Sequence, residues 1–300
     1  MVDLECLRRR CSAMVIGTTV ACISSGIAQP LVPSPRWQVN FPALGNGAAS
    51  ESTAVPLGSD PTLVVIVTTG ANPNNPQAQL GGRKVLVKMI GHDPVSRLGF
   101  IRTEGNVAAK PLPWAEDASK AANASLKAIE AGRATPCRAA GWTKQVGGKV
   151  LPFALLRINF TAAVPPPGTP LVDDAGRIVA IVFQGSGSGS VGYAIPAEAV
   201  HRVQQDILKN GQLVRGWLGL ALRAESPSPQ ISRILPDSPA AAAGLQANDV
   251  LLSIGTRRIT EYADAANAFF YLIPGQPVSV KLQRGGTPME FTLTPIKPKG

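Results

Sequence analysis

The sequence predicts a mainly β protein built from two modules. Aromatic residues make up only 5% of the 300 residues, whereas 30 Gly and 27 Pro interrupt runs that are rich in Val, Ile and Leu. This composition is typical of short strands joined by turns rather than of packed helices. The strand pattern stops at a helix that ends near Gly211, and it then begins again. A chain of this length is long enough to bury two hydrophobic cores.

The N-terminal residues have the pattern of a secretory signal. Three arginines at 8–10 precede an apolar run over 11–27, which ends in small residues at Ala28. Because the run is shorter than the ~18 strongly apolar residues of a membrane span, we predict a signal peptide over 1–28 and no stable membrane span after its cleavage. The mature protein is then periplasmic or secreted. A retained anchor and a lipoprotein cleavage box at Cys22 are the alternatives.

The sequence before Gly211 has the patterns of a linker, a series of strands and two helix-prone stretches. Residues 29–59 are rich in Pro, Gly, Ala and Ser, and we predict a linker there. The Ala-rich stretch 116–131 favours a helix. A second helix is predicted over 196–210, from Pro196 to the Gly that follows. Strands are predicted over 62–67, 84–90, 98–102, 150–160, 177–183 and 192–195, which suggests a β-barrel domain over 60–211.

Residues 212–297 have the pattern of a second compact module. Five strands and two helices fit within about 85 residues, a typical size for a small domain. Strands are predicted over 218–222, 231–235, 250–254, 278–282 and 291–293, and helices over 239–243 and 261–272.

The charge and the reactive residues exclude several classes of function. The formal net charge is +10, but apart from 8–10 the Lys and Arg residues are scattered, so we expect no nucleic-acid partner. Cys and His never occur at metal-ligand spacing, and the Gly/Ser stretch 184–190 lacks the Lys of a phosphate loop. We therefore expect no metal and no cofactor. Cys137, the only cysteine after residue 28, is predicted to be a buried or loop thiol.

The C-terminal module resembles a PDZ domain of the bacterial protease-associated kind. The resemblance rests on 215–220 (Arg-Gly-Trp-Leu-Gly-Leu), 235–240 (Leu-Pro-Asp-Ser-Pro-Ala), 243–254 and 274–278. It implies a five-stranded, partly open barrel with two helices, to which a partner's C-terminal peptide adds as a strand. A module that only docks within its own oligomer is the alternative. The peptide-binding residues implied are Arg215, Trp217, Leu218, Gly219, Leu220, Ala221, Leu222, Ala266 and Phe270.

The preceding domain resembles the trypsin-like double β-barrel of the HtrA/Deg serine proteases. Four segments match motifs of that family in order and spacing: 79–84, 90–99, 164–181 and 191–196. The third begins with Val-Pro-Pro-Pro-Gly-Thr-Pro-Leu-Val, where the proteases have Gly-Asn-Ser-Gly-Gly-Pro-Leu-Val. The resemblance implies a protease fold followed by a PDZ domain.

The catalytic residues of the family do not carry over to this chain. Pro167 occupies the position of the nucleophilic Ser, Arg97 that of the Asp, and the region 62–79 contains no His. The resemblance places the two oxyanion-hole amides at Pro165 and Pro167, and proline has no N–H. We therefore predict a pseudoprotease.

The predicted function is binding rather than catalysis. We expect an extracytoplasmic HtrA-like protein that binds peptide or protein C-termini and acts as a scaffold, chaperone or regulator. One alternative is an active serine endopeptidase with a relocated site, which would require His92 or His201 beside a Ser or Cys. The other is a structural subunit of an active paralogue, in a homo- or hetero-oligomer with HtrA-type proteins.

Overall fold

The described part of the chain starts at Arg36. The structure is a computed structural model, and it describes residues 36–105, 111–118, 121–146, 149–187, 189–223, 226 and 228–298. The predicted signal peptide over 1–28 lies outside these residues. From Arg36 onward the chain forms one compact unit.

Seven antiparallel strands form the first sheet, in the order β5-β4-β1-β2-β3-β7-β6. All five residues of the apolar strand β3 are buried, as expected for a β-branched run in the middle of a sheet. The strands are β1 (Trp37–Phe41), β2 (Ser50–Pro56), β3 (Thr62–Ile66), β4 (Gln77–Leu80), β5 (Arg83–Val85), β6 (Val87–Asp93) and β7 (Leu98–Thr103).

Strands β1 and β2 show that the predicted linker over 29–59 is wrong for Trp37–Pro56. The two strands pair from Trp37 opposite Ala54 to Phe41 opposite Ser50. Trp37 and Phe41 are buried in the core of this sheet. The prediction failed because β2 is mostly small and polar in sequence, and its neighbours in the sheet supply the partners that its own propensity does not.

Six strands close into a barrel, in the order β10-β13-β12-β11-β8-β9. The local helix propensity of 116–131 does not give a helix over Ser125–Glu130, where β8 pairs with both β9 and β11. Leu126 and Ala128 alternate into the barrel core, so strand pairing overrides the helix propensity of the alanines. The strands are β8 (Ser125–Glu130), β9 (Arg133–Val146), β10 (Lys149–Phe160), β11 (Pro170–Val172), β12 (Ile178–Gly185) and β13 (Val191–Pro196).

Helix α1 (Ala197–Asn210) confirms the helix predicted after the barrel. It follows Pro196 and ends at Gly211, whose left-handed φ of 72° lets its N–H donate to the carbonyl of Ile207. Val200, Val203 and Ile207 pack into the core shared by the first sheet and the barrel. The helix therefore joins these two layers.

The C-terminal module has six strands where five were predicted. β14 pairs with β15 in a two-stranded sheet, and the other strands form a sheet in the order β17-β16-β18-β19. The additional strand, β17, was missed because it is only two arginines long. The elements are β14 (Leu220–Leu222), β15 (Ile231–Ile234), α2 (Pro239–Ala242), β16 (Val250–Ile254), β17 (Arg257–Arg258), α3 (Tyr262–Phe270), β18 (Val278–Arg284) and β19 (Thr287–Leu293).

Helix α3 packs on two cores at once. Ala265 and Ala268 lie in the core of the C-terminal module. Phe270 instead lies in the core of the barrel, where its ring centroid is 4.7 Å from that of Phe153 on β10. The Asn267 amide nitrogen also donates to the carbonyl of Leu151, at 3.5 Å. The barrel thus fixes the position of the helix that borders the predicted peptide groove.

Candidate functional site

The loop before β14 presents unbonded backbone amides. The Trp217 N–H donates to the carbonyl of Ile296 at 2.8 Å, and the Trp217 carbonyl accepts from the Ile296 N–H at 3.0 Å. The amides of Leu218 and Gly219 donate to no backbone carbonyl of the described residues. Trp217 is among the implied peptide-binding residues, but its amide is already bonded and is not a donor for a ligand carboxylate. Leu218 and Gly219 provide two adjacent free donors, the arrangement that captures a terminal carboxylate.

Gly219 gives this loop its shape. Its φ of 77° is a left-handed conformation that side chains disfavour. A methyl group at this position would lie 2.1 Å from Cβ of Ser238, so the two segments touch only because glycine stands here. Ser238 in turn accepts from the Ala241 N–H at 3.1 Å and donates to the Leu235 carbonyl at 2.6 Å. The start of α2 therefore supports the loop from behind.

Strand β14 has one edge open. It pairs with β15 from Leu220 opposite Ile234 to Leu222 opposite Ile231, and no other described strand pairs with it. All three β14 residues, including Ala221, are half-buried. An open edge beside two free amides is the geometry that accepts an extended peptide as an added strand.

The structure corrects the assignment of one predicted groove residue on helix α3. Phe270 is only 4% exposed and packs on the barrel, so its assignment to the peptide groove is wrong. Helical spacing puts Tyr262 and Phe269 on the face of Ala266 instead. Phe269 packs at the border of the same core as Leu220. The sequence contained a signal for this face of the helix, because residues 262, 266 and 269 have the spacing i, i+4 and i+7.

Arg215 is exposed and precedes the loop by two residues. Residues 215–222 run through this loop into β14, and Ala266 lies on α3.

The turn 165–169, which the sequence resemblance assigns to the nucleophile position, has its amides bonded inside the barrel. Pro165 and Pro167 have no N–H to offer. The Gly168 N–H donates to the carbonyl of Val182 at 2.7 Å, and the Thr169 N–H donates to that of Pro166 at 3.2 Å. An oxyanion hole requires free donors directed at the developing charge, and 165–169 leaves none.

Arg97, which the sequence resemblance assigns to the aspartate position, forms contacts within the barrel domain. Its guanidinium lies 5.1 Å from the ring centroid of Phe183, and its Nη1 donates to Oε1 of Gln184 at 3.2 Å. A permanent cation cannot stabilise the imidazolium that forms when a histidine acts as general base.

Neither histidine pairs with a nucleophile among the described residues. Nδ1 of His201 lies 3.4 Å from Oε1 of Gln204, and its ring packs edge-on against Trp114. His92 is half-buried, and burial lowers its pKa. Burial also raises the pKa of the free Cys137 thiol to about 11, so this thiol stays protonated at neutral pH.

Comparison with known proteins agrees with this architecture. A family model described as a PDZ domain matches residues 216–294. A probable periplasmic serine endoprotease, DegP-like, from Chlamydia muridarum is 25% identical over 254 residues, covering 71% of this chain and 47% of that protein. The periplasmic pH-dependent serine endoprotease DegQ of Escherichia coli is 29% identical over 127 residues, covering 38% of this chain and 28% of DegQ. The chain thus spans about half the length, or less, of the curated relatives it matches.

Solved structures share the fold. The HtrA-type protease AlgW with a tripeptide superposes with a TM-score of 0.65 at 21% identity, covering 90% of this chain and 96% of AlgW. A serine endoprotease from Yersinia pestis gives a TM-score of 0.57 at 16% identity, covering 90% of this chain and 96% of that protein. Of the residues described, no helix has the length and hydropathy to cross a membrane. The chain is a relative of the HtrA/DegP-like serine proteases that carry a PDZ domain.

Proposed function

We propose that this protein is an extracytoplasmic pseudoprotease that binds peptide C-termini in its PDZ groove without cleaving them. The proposal rests chiefly on one observation: the turn 165–169 retains no free backbone amide, whereas Leu218 and Gly219 retain two. The chain therefore combines a protease scaffold that cannot stabilise an oxyanion with a loop that can hold a carboxylate.

The surroundings of the nucleophile position support the loss of activity. The side chain of Val164 packs on the glycines of β12 and β13: a methyl group at Gly192 would lie 3.0 Å from Val164 Cγ1, and one at Gly185 would lie 3.7 Å from Val164 Cγ2. By the resemblance to the active family, the stretch 184–190, which contains Gly185, occupies the place where those proteases build part of the substrate pocket. An apolar side chain seated there leaves little room for a substrate residue.

The residues of β14 and α3 favour a peptide ligand with an apolar C-terminal side chain. Leu220 of β14 and Phe269 of α3 are half-buried and pack against the same core, and Ala266 is half-buried on α3. Their accessible parts would form the apolar surface of the groove. We propose that a C-terminal apolar side chain packs against this surface while its carboxylate accepts from the Leu218 and Gly219 amides. The protein would then act as a scaffold, chaperone or regulator that captures exposed chain ends. Periplasmic relatives support an extracytoplasmic location.

A binding measurement on the whole mature chain tests the groove. Fluorescence polarisation of labelled peptides ending in apolar residues should show saturable binding, and the same peptides with an amidated C-terminus should bind at least tenfold more weakly. Ala266→Asp places a charge in the groove and should abolish binding, whereas Arg83→Gln, on the exposed strand β5, should not. Equal binding of acid and amide peptides would refute carboxylate capture.

An activity measurement tests the absence of catalysis. We expect no turnover of denatured casein and no labelling by a fluorophosphonate probe. Labelling of any serine in the folded protein would show that a relocated site exists and would overturn the pseudoprotease assignment. Peptide binding and catalysis are thus tested separately.

A further inference from the structure

The hydrogen bonds of β14 determine which of its residues an added peptide strand can pair with. The Gly219 carbonyl and the Arg223 N–H bond to residues that flank β15, at 2.8 and 2.9 Å. In a planar trans peptide unit the C=O and the following N–H point in opposite directions, so the Leu220 N–H and the Leu222 carbonyl point to the open edge. A peptide that adds to this edge therefore pairs with Leu220 and Leu222.

The side chains of this sheet alternate between the core and an outer face. Leu220 and Leu222 pack against the core of the C-terminal module. Ala221 lies directly opposite Arg233 of β15, and directly opposite residues have their side chains on the same face of a sheet. Ala221 and Arg233 therefore lie on the outer face, away from the core. Arg223, two residues beyond Ala221 and still bonded beside β15, continues this face.

The outer face carries two arginines without an ionic partner. Arg223 and Arg233 are both exposed, and neither forms an ion pair with a described residue. The segments 220–223 and 230–235 contain no acidic residue that could neutralise them. The outer face beside the open edge is therefore positively charged, and both guanidinium groups are accessible to a ligand.

A bound peptide C-terminus would meet this face at defined positions. If the Leu218 and Gly219 amides hold its carboxylate, the last residue of an antiparallel peptide lies opposite Leu220. The penultimate residue then lies opposite Ala221, and the fourth-last residue lies opposite Arg223. The side chains of these two residues point to the outer face, whereas those of the last and third-last residues point to the core side.

We propose that the groove selects peptides with acidic residues at the penultimate and fourth-last positions, a preference that rests on the peptide capture proposed above. A carboxylate at the fourth-last position faces Arg223 directly, with Cβ atoms about 4.5–5.5 Å apart. A glutamate at the penultimate position reaches across Ala221 to Arg233, which lies two strand spacings, or about 10 Å, away. The methyl side chain of Ala221 leaves this gap open, so that the two long side chains can meet above it. One such exposed ion pair changes affinity by about 1.4–5-fold.

Fluorescence polarisation of labelled octapeptides with the whole mature protein tests the preference. The peptides all end in leucine and carry glutamate, glutamine or lysine at both the penultimate and the fourth-last position. We expect the glutamate peptide to bind about fivefold more tightly than the glutamine peptide, the lysine peptide to bind most weakly, and the differences to shrink in about 1 M NaCl. A control peptide of equal charge carries its two glutamates at the third-last and fifth-last positions, which face the core side, and should bind no more tightly than the glutamine peptide.

Substitutions of the two arginines assign each position of the peptide. Arg233→Gln should abolish the preference at the penultimate position alone, and Arg223→Gln should abolish it at the fourth-last position alone. Arg233→Glu should invert the penultimate preference, so that lysine binds more tightly than glutamate there. The matched control Arg83→Gln, an exposed arginine of β5, should retain both preferences. All four variants should melt as the wild type does, because none of these arginines has an ionic partner to lose.

The outcomes separate this preference from peptide capture itself. Equal binding of the glutamate and glutamine peptides, with binding still lost on C-terminal amidation, would refute the acidic preference and leave carboxylate capture standing. The absence of saturable binding by any peptide would refute both. A glutamate preference that survives in the double variant Arg223→Gln/Arg233→Gln would assign it to the net charge of +10 rather than to the outer face, and would also overturn the proposal.

Discussion

The turn at 165–169 and the loop at 217–220 are built alike but differ in their remaining hydrogen-bonding capacity. Each depends on a glycine with positive φ, 83° at Gly168 and 77° at Gly219. Each glycine touches another segment, since an added methyl group would lie 1.9 Å from the Thr53 carbonyl oxygen or 2.1 Å from Ser238 Cβ. The turn uses all its amides internally, whereas the loop leaves two free. The similar backbone shape of the two segments therefore reflects packing, and the unbonded amide donors decide which segment can bind a carboxylate.

The largest expected effect is a difference in stability loss between substitutions on the two faces of α3. Phe270→Ala should destabilise the protein by about 3–5 kcal/mol, because it empties a buried site against Phe153. Phe269→Ala, on the half-buried groove face, should cost less than half as much and should weaken peptide binding instead. Urea unfolding and peptide titration of both variants measure this contrast. Equal stability losses would show that the two faces are not distinct.

A second prediction concerns the structural role of the turn. Gly168→Ala should destabilise the protein by about 2–4 kcal/mol, because the methyl group collides with the Thr53 carbonyl in addition to the left-handed strain. Gly176→Ala is the matched control: its φ is 75°, and no heavy atom lies within 4 Å of the added methyl. It should cost only about 1 kcal/mol. Chemical denaturation of the two variants should therefore give clearly different midpoints.

A third and smaller effect depends on pH. Burial opposes the charge of Asp264, but hydrogen bonds from Lys144 and Thr260 outweigh it and lower the pKa of the carboxyl below its usual value of 3.8. The native state therefore favours the ionised carboxyl, and this stabilisation is lost as pH falls through the lowered value. Lys144, whose pKa is raised by Asp264 and Glu261 against its desolvation, stays charged throughout this range. Asp264→Asn should therefore cost ~0.5–1 kcal/mol near neutral pH, and this cost should shrink as the pH falls below 3.8. Unfolding free energies of the two proteins across this range test the expectation.

The smallest expected effect is none at all. Pro167→Ser introduces a hydroxyl at the position that the resemblance assigns to the nucleophile, but Pro165 still lacks an N–H and the position assigned to the acid still holds Arg97. We expect no fluorophosphonate labelling and no casein turnover by this variant. Measurable activity would show that the barrel retains more of the protease machinery than its hydrogen bonds indicate.

The sequence predicted best where one local pattern determined the structure. Helix α1 was predicted with both ends, because Pro196 and Gly211 bound an amphipathic stretch. The failures at β1–β2 and at β8 have the opposite cause, since strand pairing overrode weak or helical local preference. Each region also pairs with a strand beyond its adjacent hairpin, with Trp37 opposite Leu80 and Ala128 opposite Leu171.

For the candidate site, sequence motifs identified the loop but not the hydrogen bonds around it. That the Trp217 amide is occupied depends on Ile296, which lies about 80 residues further along the chain. The assignment of Phe270 failed for a related reason. A helix that is apolar around most of its circumference can be buried on two sides, and only the position of β10 shows which side Phe270 takes.

The sharing of α3 between two cores has a consequence for how the molecule unfolds. A PDZ module that is complete in itself would melt separately from its neighbour, but here the removal of the barrel would expose Phe270 and leave the Asn267 amide without its contact to Leu151. Barrel and module should therefore lose structure in a single cooperative transition rather than in two. An excised fragment would expose an apolar helix face to solvent and would tend to self-associate.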